Sequence, residues 1–517
     1  MVNRFLALVP KPVPADAPLV IEAKPEPATP VPEPAQPKPE VEPGPKLGAA
    51  DEALATLNEL HAIINNVGGK TVIASWEPSV ADSNKLTLVY QSQTDFNLRY
   101  SNRYMPVGVS GRHGGAQTIM MLLGKWWLSH PGRKQYRSIV FLPTQPKEVN
   151  GCLNLWQSWG VEDIQADWSL IYRHIIEVVA DDNAEIAEYV IRWMAWSIQN
   201  PDKQAEVALV FIGEKGAGKG TVARCLQRIF GAHSFQVSGA DDVVGKFNAH
   251  LQDCILFIAD EAFWGGDKKS VGKLQGMITE PTITVEPKGI GLFQVRNLLH
   301  ILMLAEPGWV IPAGRHERRY AALDVSPVHR GDRAYFKALR AQIEGDGPAG
   351  MFHDLSRMDI GTWHPREIPD VILHGSALHK QQNRTLPPLE RWYLMLLHEG
   401  QLPGALVKRP NTAFTESLIS DAKSKYARLR LDLTPESLRN FLIDPVSTGI
   451  KCDKYKTAQC NGWAFPPLGE CREAWSRIYG HVDWDTDAEE WTAGPQPVKP
   501  SSKELTESAT EILKRRF

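Results

Sequence analysis

The chain alternates between stretches with different apolar periods. Residues 51–66 (DEALATLNELHAIINN) place Leu54, Leu57, Leu60 and Ile63 three apart, which predicts a helix ended by Gly68-Gly69. Residues 70–141 mix short apolar runs with Gly and Ser, the pattern of strands and loops. Residues 169–198 (SLIYRHIIEVVADDNAEIAEYVIRWMAWSI) read as two helices separated by Asp181-Asp182-Asn183. From Ala205 to Val325, short apolar strands alternate with helical segments, as in an α/β unit with a largely parallel sheet. Residues 385–480 form a further compact stretch, and no internal repeat is evident.

Composition sharpens this outline. Of 38 prolines, thirteen fall between Pro10 and Pro45, among Lys, Glu, Ala and Val. Residues 1–46 therefore predict a disordered, stiff, extended linker. With 517 residues, 43% apolar and 23% charged, the remainder is ordinary for about three globular units. A net charge of −3 argues against a histone-like binder, though not against a local basic groove. Six irregularly spaced cysteines suit a reducing compartment better than a disulfide framework, and Cys452, Cys460 and Cys471 lack the paired spacing of a zinc site. No apolar run approaches the roughly 18 residues of a membrane helix. The expected location is the cytoplasm.

The most informative segment is AEVALVFIGEKGAGKGTVARCLQRIFG, residues 205–231. An apolar strand (Val207–Ile212) meets a glycine-rich turn and then a helix, the context of a phosphate-binding P-loop. The loop comprises Gly213, Glu214, Lys215, Gly216, Ala217, Gly218, Lys219, Gly220 and Thr221. Its glycines let successive N–H groups face phosphate oxygens, and Lys219 reaches the β- and γ-phosphates. The position after the lysine, usually Ser or Thr, is Gly220, so Thr221 is the candidate magnesium hydroxyl. ATP and Mg2+ are the expected ligands.

About 40 residues on, CILFIADEA (254–262) reads as a strand buried on both faces that ends in Asp260-Glu261. Asp260 is placed to bind magnesium and Glu261 to activate water, which argues for hydrolysis.

These motifs, with IFGAH (229–233), KFNAHL (246–251), KLQGMITEPTITVEPKG (273–289), NLLHILMLAE (297–306) and WVIPAGRHERRY (309–320), resemble the superfamily-3 helicases of phage and plasmid primase-helicases. LNLWQSWG (153–160) and DWSLIYRHI (167–175) are similar to that family's lead-in. The resemblance covers roughly 150–330. It implies a P-loop AAA+-type ATPase core over 151–330 that acts as a homo-hexameric ring on single-stranded or forked DNA, in phage or prophage replication within a bacterial host. It further implies a channel hairpin around TEPTITVEPKG with Lys273 and Lys288 as DNA contacts, and an arginine, Arg318 or Arg319, that reaches the neighbouring subunit's γ-phosphate; Arg315 is less secure. The family's strand normally ends in a phosphate-sensing asparagine. Here that place falls on Glu306, so the pocket is retuned, Asn297 or another polar group substitutes, or activity is weakened.

The flanks complete the expected architecture: an N-terminal α+β region (47–150), a connecting segment (331–384), a C-terminal winged-helix-like module (385–480) and a flexible tail (481–517). The module carries Lys408, Arg409, Lys423, Lys425, Arg428 and Arg430, an excess suited to phosphate, and Thr434 as an N-cap. In GKWWLSHPGRKQYRSIVFLP (124–143), basic residues interleave with aromatics, which fits either single-stranded nucleic acid or a packed aromatic collar. The 47–150 region is short for a primase, so a separate primase or polymerase is the expected partner. Two other classes stay open: a non-motor, ATP-binding initiator, which Glu306 makes conceivable, and a nucleotide kinase, whose loop GEKGAGKGT resembles.

Overall fold

The computed structural model describes residues 48–78, 86–110, 117–239, 248–261, 268–287, 289–308, 311–314, 317–405, 407–425, 433–456, 461–480 and 482–494. The Pro-rich linker, most of the expected tail, Lys288, Arg315, Arg428 and Arg430 lie outside these residues. Contacts divide the chain into two compact units: Met1–Ala262, Lys268–Glu306 and Val325–Glu367 in the first, and Phe263–Asp267, Pro307–Asp324 and Ile368–Phe517 in the second. Both helices and sheets are present, so the fold is mixed α/β.

The first unit opens with helix α1 (Ala49–Leu60) and strands β1 (His61–Val67), β2 (Lys70–Pro78) and β3 (Leu86–Gln91). Next come α2 (Gln93–Arg99), a hairpin of β4 (Tyr104–Ser110) with β5 (Gln117–Leu122), α3 (Leu123–Ser129), β6 (Gln135–Val140), β7 (Glu148–Val149) and β8 (Cys152–Asn154). The spacing that predicts a helix through residue 66 holds only to Leu60. From His61 the chain is a strand, paired antiparallel with β2 and parallel with β6. Pairing on both edges outweighs local helical spacing, and Ile63, Ile64 and Val67 suit a pleated surface. The alternation is visible in the core. Ile63 packs with Leu57, Phe96, Tyr100 and Trp127, while Ala62 and Ile64 pack on the other face with Tyr136 and Leu153. The sheet order is β3-β2-β1-β6-β8-β7. The tryptophan-rich basic segment resolves toward the collar: Trp127 is fully buried and donates to Asn58 Oδ1 at 3.0 Å, and Tyr136 is buried as well.

The second half of this unit holds α4 (Ser169–His174), which runs straight into a π-helical turn, Ile175–Val179, and then α5 (Ala184–Gln199). Asn183 caps α5 by accepting from the N–H groups of Glu185 and Ile186. The core strands follow: β9 (Ala208–Ile212), α6 (Lys219–Phe230), β10 (Ser234–Val237), β11 (Leu256–Asp260), α7 (Lys268–Thr279), the antiparallel hairpin β12 (Thr282–Val285) and β13 (Phe293–Arg296), and β14 (His300–Ala305). In this unit the parallel strands run in the order β10-β11-β14-β9. Thus β14 lies between the strand before the glycine-rich loop and the strand that ends in Asp260. Helices α8 (Arg333–Glu344) and α9 (Gly347–Arg357) close the unit.

Several motif residues serve the scaffold. His233 stacks on Trp156 (4.6 Å, 11°), accepts from the Gln157 N–H and bonds the Asp253 carbonyl, tying the lead-in to the core. Asn248 accepts from Glu286 N–H and donates to Thr284 O, clamping β12. Asn297 is buried, donates to Met277 O and Glu280 O, and accepts from Leu299 N–H. Both of its amide N–H donors are thus spent below the hairpin, which leaves it no donor for sensing phosphate.

The second unit contains β15 (Tyr320–Asp324), α10 (Asp370–Leu373), α11 (Ser376–Thr385), α12 (Pro388–Glu399), β16 (Gln401–Leu402), β17 (Thr412–Phe414), α13 (Thr415–Lys425), α14 (Pro435–Ile443), α15 (Pro445–Thr448), β18 (Asp453–Lys456), β19 (Asn461–Ala464), α16 (Leu468–Tyr479) and β20 (Thr492–Ala493). Strands β17, β19 and β18 make an antiparallel sheet in that order, and α12, α13, α14 and α16 bury Trp392, Leu396, Leu418, Leu438 and Trp475 in one core. Thr434 caps α14 in a reciprocal box with Ser437. Among the described residues, no helix is long and apolar enough to cross a membrane.

Candidate functional site

The glycine-rich loop leaves β9 at Gly213, whose N–H donates to Ala305 O at 3.1 Å and so pins the loop to β14. Gly216 (φ +83°) and Gly218 (φ +107°) adopt the left-handed backbone that turns the chain into α6, and Gly218 is that helix's N-cap. The Lys219 ammonium donates to the Gly213 carbonyl (2.6 Å) and the Glu214 carbonyl (3.0 Å), beneath the turn. Glu214 in turn pairs with Arg330.

A cavity of about 830 Å³ opens over this loop. Lys215, Gly216, Gly218, Lys219, Gly220 and Thr221 line it, and so do Asp260, Glu261 and Glu306. The loop and both carboxylates singled out from the sequence therefore face one space. Gln236 donates to Asp260 Oδ2 (3.0 Å) and accepts from Gln227 of α6 (2.8 Å), a short relay that orients the carboxylate. Burial, with Glu261 beside it, holds the Asp260 carboxyl above the usual range, against the pull of Lys219 and the Gln236 hydrogen bond. Glu261 is exposed, has φ +53°, and is fixed by its N–H donating to Leu304 O at 2.9 Å. Such a backbone is uncommon for a non-glycine residue and concentrates at functional sites.

Lys219 feels two opposed influences. Desolvation holds its pKa below the ordinary value, against the opposing pull of Glu306, Asp260 and Glu261, of which Glu306 acts most strongly. Glu306 is thus a close electrostatic neighbour of the loop lysine. As to a metal, no group of three His, Cys, Asp or Glu side chains among the described residues could hold an ion unaided. The Thr221 hydroxyl and Asp260 carboxylate are hard oxygen donors on one cavity, a set that fits Mg2+ held jointly with substrate phosphates.

The support behind the loop has no local signature in the sequence. His174, fully buried, contacts the Gly218 carbonyl through Nε2 (3.1 Å) and the Tyr335 hydroxyl through Nδ1 (3.0 Å). A carbonyl only accepts, so Nε2 carries the proton and Nδ1 accepts from Tyr335. Burial pushes the imidazole down to about 4, so it is neutral at pH 7. The Tyr335 ring stacks on His329 (3.7 Å, 9°), and His329 bonds Glu177 at 2.8 Å. The π-helical turn that follows His174 lies at this buttress, a common place for such turns. DWSLIYRHI contains His174, but nothing in that string tells which side chain supports a loop 44 residues away.

The remaining candidates fall elsewhere. In the second unit, buried Glu317 accepts from the backbone N–H groups of Arg318 and Arg319 and pairs with the Arg319 guanidinium at 3.2 Å. The Arg318 side chain is exposed. Lys273, on α7 of the first unit, is half-buried, and burial lowers its pKa.

Residues 211–319 match the model of a family described as "Family of unknown function (DUF5906)". A DNA primase-polymerase of Nitratiruptor phage NrS-1 is 20% identical over 161 residues, which span 31% of this chain and 22% of that protein. Two solved apo structures of the NrS-1 C-terminal region resemble the chain. One has a TM-score of 0.53 at 14% identity, covering 79% of this chain and 97% of that one; the other has 0.54 at 13%, covering 80% and 98%. The chain is thus related to the NrS-1 protein in sequence over a limited stretch, and shares its fold with that protein's C-terminal region over most of its length.

Proposed function

We propose that the protein is an ATP- and Mg2+-dependent DNA helicase of phage replication, built on an AAA+-type core with a winged-helix-like module and working as a ring. One observation carries the reading: the glycine-rich loop, Thr221, Asp260 and Glu261 line a single cavity of about 830 Å³. In this role Lys219 and the loop N–H groups hold the triphosphate. Thr221 and Asp260 hold Mg2+, which neutralises phosphate charge, and Glu261 orients the attacking water. The strand order supports the same reading, because β14 between β9 and β11 delivers Glu306 between lysine and carboxylates. Arg318 is favoured over Arg319 as the residue offered to a neighbouring subunit, since Glu317 already engages Arg319.

In the second unit, the order helix, strand, two helices and a two-stranded ribbon, with β19 between β17 and β18, supports a winged helix. Exposed Lys408, Arg409, Lys451, Lys454 and Lys456 supply a basic surface there for DNA phosphates. Lys425 is less available, being paired with Glu399 and Asp421.

The test is phosphate release and forked-duplex unwinding by the full chain, with Lys219→Ala and Glu261→Gln as controls. The expected result is Mg2+-dependent hydrolysis, stimulated by single-stranded DNA and absent from both controls. Turnover no higher than the controls would refute the motor reading and leave an ATP-binding initiator.

A further inference from the structure

The loop end of the cavity has an electrostatic imbalance. Three carboxylates, Asp260, Glu261 and Glu306, surround one ammonium, Lys219, and all three act on it. A triphosphate brings several further negative charges, more than one Mg2+ cancels. Such a site binds a polyanion only if other cations face it.

Helix α8 supplies them. Arg333, Lys337 and Arg340 recur at four and three residues, one face of a helix, and all three line the cavity. Arg224 of α6 lines it as well. All four side chains are exposed, and no carboxylate pairs with them among the described residues. The acids that α8 itself contributes are Asp332, whose carboxylate caps the helix by accepting from Tyr335 N–H, and Glu344 in the last turn.

The helix is also held firmly against the loop. Near its start, the Phe336 ring comes within 3.2 Å of where a Cβ on Gly218 would sit, and Tyr335 donates to His174, which holds the Gly218 carbonyl. Near its end, Gln342 Oε1 accepts from the N–H groups of Leu170 and Ile171 (both 3.0 Å), and the Ile343 carbonyl accepts from Arg228 of α6. Anchorage at both ends fixes the cationic face toward the cavity before any ligand arrives, which lowers the entropic cost of using it.

We infer that Arg333, Lys337 and Arg340 form a cation set, supplied in cis, that binds the nucleotide's polyphosphate and offsets the extra negative charge of Glu306. The inference rests on the cavity taking a nucleoside triphosphate. It assigns to this chain's own helix part of the charge stabilisation that a ring ATPase draws from a neighbouring subunit. Glu306 then becomes one half of a compensated pair of changes, with α8 as the other half.

The test is equilibrium titration of the full chain with N-methylanthraniloyl-ATP, -ADP and -AMP in the presence of Mg2+. The combined variant Arg333→Ala/Lys337→Ala/Arg340→Ala should weaken ATP binding by about 30-fold or more, ADP less and AMP least, as charge-assisted contacts are lost. Glu306→Gln in that background should recover most of the loss. Exposed side chains are replaced, so thermal melts without nucleotide should be unchanged; if the triple variant melts early, Lys337→Gln alone should still weaken ATP severalfold. Wild-type ATP affinity in the triple variant, with Lys219→Ala defective, overturns the cis cation set and leaves the loop reading intact. Failure of Glu306→Gln to recover binding overturns the compensation. Unimpaired binding by Lys219→Ala overturns the loop reading, and α8 with it.

Discussion

Three glycines of the loop should respond very differently to the same added methyl group. At Gly220, inside the first turn of α6, a Cβ meets nothing within 4 Å and the backbone is helical. Gly220→Ala should therefore be neutral or slightly stabilising, by up to about 1 kcal/mol from helix propensity and a less flexible unfolded chain. At Gly216 the space is also open, but φ is +83°, so alanine carries left-handed strain of about 1–2 kcal/mol. Gly218 combines both penalties. Its φ is +107°, and a Cβ would lie 2.5 Å from His174 Cε1 and 2.9 Å from Nε2. His174 cannot yield cheaply, because it is buried and bonded at both nitrogens. Backbone strain and overpacking together should cost about 4 kcal/mol. Thermal unfolding without nucleotide reads the series. Gly218→Ala should melt roughly 5–10 °C early, Gly216→Ala by a few degrees, and Gly220→Ala with wild type or above it. Nucleotide affinity should fall in the same order. A Gly218→Ala protein that melts and binds like wild type, or a Gly220→Ala protein that is the worst of the three, would refute the packing argument.

The remaining predictions address neighbouring groups. His174→Ala should weaken ATP binding about tenfold, whereas His174→Gln, which keeps a donor toward the Gly218 carbonyl, should recover part of it in the same titration. Thr221→Ala should abolish Mg2+-dependent hydrolysis, and adding Gly220→Ser, which restores a hydroxyl one position earlier, should return measurable turnover if magnesium needs only a hydroxyl there. The folded-state pKa of Asp260 lies above its unfolded value, so its charged form opposes folding and that penalty fades as pH falls. Asp260→Asn should therefore raise the neutral-pH melting temperature of the nucleotide-free protein while eliminating hydrolysis. In the basic surface of the second unit, Lys454→Glu with Lys456→Glu should cut DNA affinity by an order of magnitude at low salt and leave ATP binding unchanged.

What could be read from the sequence, and what could not, follows from where the information lies along the chain. The loop and the Asp260-Glu261 pair are local strings whose chemistry is nearly fixed by residue type and spacing, and the structure brings them to one cavity. The α14 cap at Thr434 is local in the same sense, whereas the hairpin expected within 279–289 takes its second strand from Phe293–Arg296, beyond that string. His61 marks where that reading stops. The helical spacing of Leu54, Leu57, Leu60 and Ile63 is real, yet two edge pairings, one to a strand more than 70 residues on, convert residues 61–67 into β1. His174 and the α8 cations fail for the same reason in a harsher form. Arg333, Lys337 and Arg340 look like any solvated helix face, and no local pattern says that this face looks across a cavity at Lys219. The clue that was visible is indirect: Glu306, a carboxylate where the proposed function puts phosphate. A negative charge in a polyanion site is unfavourable unless cations lie nearby, but the departure alone does not say which part of the chain would bring them. Reversing Glu306 and α8 separately, and then together, asks whether their meeting at one cavity is functional or incidental.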